Sequence, residues 1–261
     1  MKKYKHHFTE KESDITIISD SKKAILQAKK SFFIHRKKLE RFVANHEDFA
    51  KSFSPVRIKS NLKVIQLMIE AADLTNVGPM ASVAGALADI MLEGMDIDDK
   101  LGRIIRYRLV ENGGEIAIDT DHELKIGLYA GINRLNSNLG FLIKKSDCPL
   151  GIGTSSATIG HAVSLGDADA VTAFAENAAI ADSAATRIAN EVKGDDIEKS
   201  IKNGLDVTDD LLKVFGCFIS REDKIGYTGK LPQFIKIEGT QNQLVKDKLK
   251  NIFKDDFEVF E

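Results

Sequence analysis

The chain has 261 residues, 43% of them hydrophobic, and its 37 basic side chains nearly balance 39 acidic ones, for a net charge of -2. That length and apolar content suffice for a sizeable core, and the charge balance gives no global case for nucleic-acid or acidic-membrane binding. The cysteines, Cys148 and Cys217, stand far apart without a CxxC spacing or a nearby histidine, which argues against a disulfide framework or zinc site and for a reducing compartment.

The opening MKKYKHHFTEKES lacks the apolar run of a signal peptide, and no segment offers about 18 uninterrupted apolar residues. A cytoplasmic globular protein with no membrane partner is expected. Tyr4–Phe8 and Asp14–Ser19 read as two short strands around the polar turn Thr9–Ser13. From Asp20 the pattern becomes helical: Ile25, Ala28, Phe32, Leu39 and Phe42 recur at three- and four-residue spacings, with Phe33 and Val43 widening the stripe to about Asn45. This helix contains KKSFFIHRKKLER, whose interleaved aromatic and basic residues superficially suggest nucleic acid. The aromatics are assigned to the apolar stripe and the charges to a solvated face, so no nucleic-acid partner is expected.

Further helices are predicted over Asn61–Asp73 and from Gly78-Pro79 through MASVAGALADIML, where proline suits a first helical turn. Leu101–Val110 is ambiguous between helix and strand. Asn112-Gly113-Gly114 is a strong turn signal before a strand at Glu115–Asp119, with more strands at Leu124–Leu128 and Asn138–Lys144. A glycine-rich turn at Gly151–Ser156 then precedes a strand at Ala170–Phe174 and a helix from about Asn177 to Val192. Asp196–Asn203 reads as helix, Leu211–Ile219 as an apolar stretch, Phe234–Glu238 as a final strand, and the tail NQLVKDKLKNIFKDDFEVFE as helical before an acidic end. The whole, residues 1–261, is expected to be a single α+β domain with a mixed or antiparallel sheet. A weak echo, Gly85-Ala-Leu-Ala-Asp89 against Ala178-Ala-Ile-Ala-Asp182, is either chance or the trace of a duplicated fold with halves near 14–125 and 126–240.

Asp182 and Thr186 lie four residues apart and share a helix face, where a carboxylate and a hydroxyl together offer oxygens to a hard cation such as magnesium. The bland reading is an exposed polar helix face. Gly151–Ser156, with Gly153 followed by the hydroxyls of Thr154, Ser155 and Ser156, reads either as a phosphate cradle or as a packed turn. It is neither a Walker loop nor a nucleophile elbow. His161 is a candidate general base or simply a structural histidine, and Asp167 and Asp169 either join the site or shape a turn. The turn Asn112, Gly113, Gly114, Glu115 lets a ligand approach bare backbone, although turn geometry alone also explains its glycines.

GPMASVAGALAD, NGGEIAI and GIGTSSATIGHAVSLGDADAVTAFAENAAIADSAATRIAN, in this order, resemble an uncharacterised family of methanogenic archaea and sulfate-reducing bacteria classed with the ApbE-like superfamily. The resemblance runs from about Asp14 to Lys236 and implies an ApbE-like α+β fold with a duplicated sheet and packed helices. More distantly, it is similar to magnesium-dependent flavin transferases that cleave FAD and attach FMN to a threonine of a target protein, some of which hydrolyse FAD to FMN and AMP. Their Gly-Gly-Asp turn corresponds to Gly113-Gly114-Glu115, and their Thr-Ser-Gly turn to Thr154-Ser155-Ser156. His161 stands for their histidine, though SLGDADA occupies the place of the following Asp-Pro-x-Thr-Gly. Their Ala-Asp-x-x-x-Thr is matched in full from Ala181 to Thr186, which implies metal contacts for Asp182 and Thr186.

Three readings follow. In the first, magnesium held by Asp182 and Thr186 assists cleavage or transfer at the pyrophosphate of FAD or a related nucleotide, Asn112–Glu115 and Gly151–Ser156 cradle the ligand, and His161 positions or deprotonates the attacking group. In the second, the same pocket holds a flavin or nucleotide without chemistry. The third is an accessory role in anaerobic sulfur assimilation involving Cys148 and Cys217, both of which also suit core positions. The expected partners are a small-molecule flavin or nucleotide, a protein acceptor, and a second copy in a homodimer.

Overall fold

Alternation and capping establish the first elements. β1 (Lys3–Glu10) and β2 (Ser13–Ser19) form a hairpin pairing Tyr4 with Ser19 and Glu10 with Ser13. Along β2, Ile15 and Ile17 are buried while the residues between them are half-buried, as the two-residue period of a strand requires. Ser21 caps α1 (Lys22–Asn45), its hydroxyl accepting the amide of Ala24 at 3.3 Å. A short α2 (Glu47–Lys51) follows, unmarked in the sequence pattern, then α3 (Lys63–Thr75), which ends on Asn76 in the left-handed region. A 3-10 turn at Pro79–Ser82 leads into α4 (Val83–Glu93). The computed structural model describes residues 2–96, 105–128, 139–155, 166–237 and 257–260.

β3 (Tyr107–Asn112) resolves the ambiguous stretch as strand at its described end, and the two glycines turn it into β4 (Glu115–Thr120). β5 (Leu124–Gly127), β6 (Leu139–Ile143), β7 (Leu150–Ser155) and β8 (Ala170–Ala175) lead to α5 (Ala178–Ala189) and α6 (Ile197–Asp209). β9 (Val214–Arg221), β10 (Lys224–Gly229), β11 (Gln233–Lys236) and β12 (Glu258–Phe260) are the last of the described elements. Phe234–Glu238 is therefore not the last strand: β12 returns to pair with β1. The helical expectation for the tail falls mainly on residues outside those described.

The fold is α+β, and every described strand pair is antiparallel. Among the described residues nine strands form one sheet in the order β10-β9-β8-β7-β4-β3-β2-β1-β12, and β11-β6-β5 form a second. The helices share a core with one face of the large sheet, through Ile15, Ile17, Phe32, Met68, Met91 and Ala179. The small sheet packs on the other face, where Phe141 meets Phe174 edge-on at 4.8 Å and lies 6.4 Å from Phe218. Such pairs each add about 0.5–1.5 kcal/mol beyond their burial.

The largest departure from the sequence reading is at Gly151–Ser155, which is a central strand and not a turn. Its glycines admit a helix. A Cβ on Gly151 would lie 2.0 Å from the carbonyl of Asn177, and one on Gly153 would lie 2.5 Å from the Ala181 carbonyl and the Asp182 amide. α5 thus rests directly on the backbone of β7. β10 was hidden for a related reason: Gly226 interrupts its pattern because a Cβ there would meet Ile201 of α6 at 2.4 Å. Gly153→Ala is expected to lower stability by about 2–3 kcal/mol in urea denaturation, as overpacking between rigid backbones does. A loss below about 0.5 kcal/mol would show that α5 withdraws from β7 at little cost.

Candidate functional site

Two aspartates lock α4 and α5 together. Asp89, on α4, accepts the amides of Ala178 and Ala179 at the start of α5, both at 2.9 Å. Asp182, on α5, accepts the amide of Gly85 at the start of α4, also at 2.9 Å, and that of Ala84. Each helix therefore supplies a carboxylate that satisfies first-turn donors of the other, where the helix dipole also favours negative charge. The helices touch at Gly85, where a Cβ would lie 2.2 Å from the carbonyl of Ala178. The sequence echo is this exchange: Gly85 and Ala178 stand four residues before the aspartate of their own helix and bond the aspartate of the other.

The β3–β4 turn is held against the same place. Gly113 and Gly114 have φ of 71° and 121°, the left-handed values a two-residue hairpin loop demands. Asn112 is buried and donates its side-chain amide to the carbonyl of Ala84 at 3.0 Å, while the amide of Gly113 donates to Asp14 at 2.9 Å. Glu115 is buried on the helix-facing side of β4 beside Gly153, and its carboxylate accepts the backbone amide of Thr154. Strand alternation divides the hydroxyls: Ser155 shares the α5-facing side with Gly151 and Gly153, whereas Thr154 points to the opposite face and meets the Thr172 hydroxyl at 3.2 Å. Thr154 therefore offers the site its amide and not its hydroxyl. Thr186 is half-buried one helical turn beyond Asp182, on the same face.

The structure thus gathers Asn112–Glu115, Gly153, Ser155, the amide of Thr154, and Asp182 with Thr186 along one edge of α5. Ser156 and His161 lie outside the described residues. Asp167 and Asp169 are engaged elsewhere, accepting the amides of Gly194 at 3.0 Å and Glu222 at 2.7 Å. Asp89 was missed as a site residue, although the echo marked its position. Cys217 is buried, 3.0 Å from the Thr208 hydroxyl, and burial pushes its thiol up to about 11, which suits an inert core residue. Burial also raises the half-buried Cys148 thiol, which lines a separate cleft of about 280 Å³ with Leu150, Phe174, Phe215 and Lys230. That cleft opens at the other end of β7, and neither Glu115, Asp182 nor Thr186 lines it.

The site concentrates negative charge. Desolvation raises Asp182 and Asp89 from 3.8 to about 7, opposed by the amides they accept and reinforced by the charge of Asp89 on Asp182 and of Glu93 on Asp89. Desolvation first, then the charge of Asp182, holds Glu115 well above the ordinary carboxylate range. Among the described residues none of these three acids is ion-paired to a Lys, Arg or His, and no three His, Cys, Asp or Glu converge as a metal cage. Two carboxylates with a nearby hydroxyl still match the sparse protein ligation that magnesium accepts when water and phosphate complete its shell.

The aspartates make stability depend on pH. With folded pKa values near 7 and ordinary values of 3.8, the folded state holds protons the unfolded chain has released, so stability falls as pH rises through that window and levels off above it. In metal-free buffer the melting temperature is expected to drop between pH 5 and 7, with a shallower drop in Asp182→Asn; a melting temperature that rises over this range would contradict the assignment. Asp89→Ala is expected to cost about 1–3 kcal/mol through the amides it leaves without an acceptor.

Comparison with known proteins agrees with this architecture. A family model described as AbpE bacteria matches residues 1–215. The UPF0280 protein of Methanocaldococcus jannaschii is 37% identical over 238 residues, covering 90% of this chain and 94% of its own. That of Methanococcus maripaludis strain C7 is 36% identical over 257 residues, covering 97% and 99%. Among solved structures, the flavin transferase ApbE from Vibrio cholerae superposes with a TM-score of 0.53 at 12% identity, covering 87% of this chain and 97% of its own, a likeness of fold. The chain belongs to the AbpE bacteria family, with the uncharacterised UPF0280 proteins as relatives, and has an ApbE-like α+β fold.

Proposed function

We propose that the protein is a magnesium-assisted enzyme that cleaves the pyrophosphate of FAD or a related nucleotide, either by water or by a protein acceptor's hydroxyl that attacks the FMN phosphate and displaces AMP. The observation that carries this reading is the uncompensated acid pair. Glu115 and Asp182 lie close enough for the charge of Asp182 to raise the Glu115 pKa, and neither has a cationic side-chain partner among the described residues. A divalent cation relieves that repulsion while leaving both carboxylates in place. The ApbE-like fold and the match from Ala181 to Thr186 support the same reading.

In this account Asp182 and Thr186 hold the metal, with Glu115 beside them. Bound there, magnesium would neutralise negative charge developing on the phosphate oxygens. The chain's own contribution is position. The Asn112–Glu115 turn, anchored through Asn112 to Ala84, forms one wall of the ligand site, and the end of β7 from Gly153 to Ser155 forms the other. Glu115 fixes the Thr154 amide, and Asp89 fixes the start of α5 so that Asp182 keeps its place. His161 is assigned the proton transfer from the attacking water or acceptor hydroxyl.

The test incubates purified protein with FAD and magnesium and follows FAD, FMN and AMP by liquid chromatography with mass detection. The expected result is FMN and AMP formed only with metal, with a rate about a hundredfold or more lower in Asp182→Ala. FAD that binds and stays intact would contradict cleavage and leave a flavin-binding protein. FAD that neither binds nor reacts would overturn the flavin assignment.

A further inference from the structure

The outer face of α1 is not the plain solvated surface its sequence suggests. Phe32 is fully buried, but Phe33 is 42% exposed, Ile34 44% and Leu26 54%. At 100° per residue these three positions fall within an arc of about 100° that also holds Lys23, Lys30, Lys37 and Arg41. No acidic residue lies in that arc. The one acid of the helix, Glu40, sits at its border and is bound to Lys11 at 2.6 Å and Arg36 at 3.1 Å. Among the described residues none of the four cations is ion-paired. Across α1 eight Lys and Arg stand against that single Glu, so a chain of near-neutral total charge carries one strongly basic ridge.

The chemistry of the ridge selects its partner. A second copy docked face to face would set these cations against their own counterparts, which an isologous contact cannot relieve. The apolar side chains stand singly among lysines on a convex helix and not in a groove, which does not suit the apolar face of a partner helix. A deformable anionic surface suits both features: Leu, Phe and Ile enter the acyl boundary while lysine stems lie along the headgroups. No helix of the described residues is long and apolar enough to cross a membrane, so the contact is peripheral. We propose that the outer face of α1, through Leu26, Phe33, Ile34 and the flanking Lys23, Lys30, Lys37 and Arg41, docks the protein on anionic lipid bilayers.

The test sediments the full chain with phosphatidylcholine vesicles, with or without about a quarter of anionic phosphatidylglycerol, at low and high salt. Retention on anionic vesicles alone, weakened by salt, is expected. Lys30→Glu with Lys37→Glu should lower partitioning about tenfold or more. Leu26→Ser with Ile34→Ser, which spares the packing of Phe33 on Phe8 and Phe32, should lower it about tenfold at an unchanged melting temperature. Failure to sediment with anionic vesicles would overturn the proposal. So would equal retention on neutral vesicles, or a partitioning that the apolar pair does not alter. Binding to duplex DNA or an acidic polypeptide without vesicle binding would reassign the face to that partner and overturn it too.

Discussion

The close approach of α5 to both β7 and α4 sets where the site residues can stand. Side chains at Gly85, Gly151 or Gly153 would push these backbones apart, and their absence lets a helix lie on a central strand with only main-chain atoms between. Packing alone leaves such an arrangement free to slide along the strand. The exchange of carboxylates, Asp89 to the start of α5 and Asp182 to the start of α4, removes that freedom with directional hydrogen bonds. Once α5 is fixed, Asp182 must sit over Gly153 and beside Glu115, and Thr186 must follow one turn later.

This geometry carries a cost. Desolvated carboxylates that have no cationic partner among the described residues oppose folding, and backbone amides offset that only in part. Local destabilisation of this kind gathers where a site is shaped for charge that arrives with a ligand. Among the described residues no other feature is comparable. Cys217 is sealed in the core, and the cleft beside Cys148 is mostly apolar and remote from the acids. Charge, fold and the resemblance around Asp182 therefore converge on one edge of α5, while the basic ridge of α1 faces away from the core as a separate surface.

Much of this was legible in the sequence. The first hairpin, the long first helix, the Asn-Gly-Gly turn and the helix bearing Asp182 follow from periodicity and turn chemistry, because each depends on neighbours close in the chain. The failures share a cause. Gly151 and Gly153 read as a turn because their reason lies in α5, more than two dozen positions onward; Gly226 hid β10 because its reason lies in α6. Phe33 looked like core because the stripe was drawn wider than the interface it fills. Asp89 was visible only as an echo, since its partners stand on another helix. The α+β class was thus within reach of local patterns, but the pairing of Glu115 with Asp182 depends on contacts between distant segments that spacing does not encode.

At the centre of the proposal, Asp182 and Thr186, with Glu115 beside them, form the seat of a divalent cation. Calorimetric titration of magnesium into the full chain, without flavin, tests it most directly, run beside Asp182→Asn and Glu115→Gln variants shown to melt cooperatively. Saturable binding of one ion to the parent protein is expected, with its loss in Asp182→Asn and weakening in Glu115→Gln. No binding to the parent, or equal binding to all three, would contradict it.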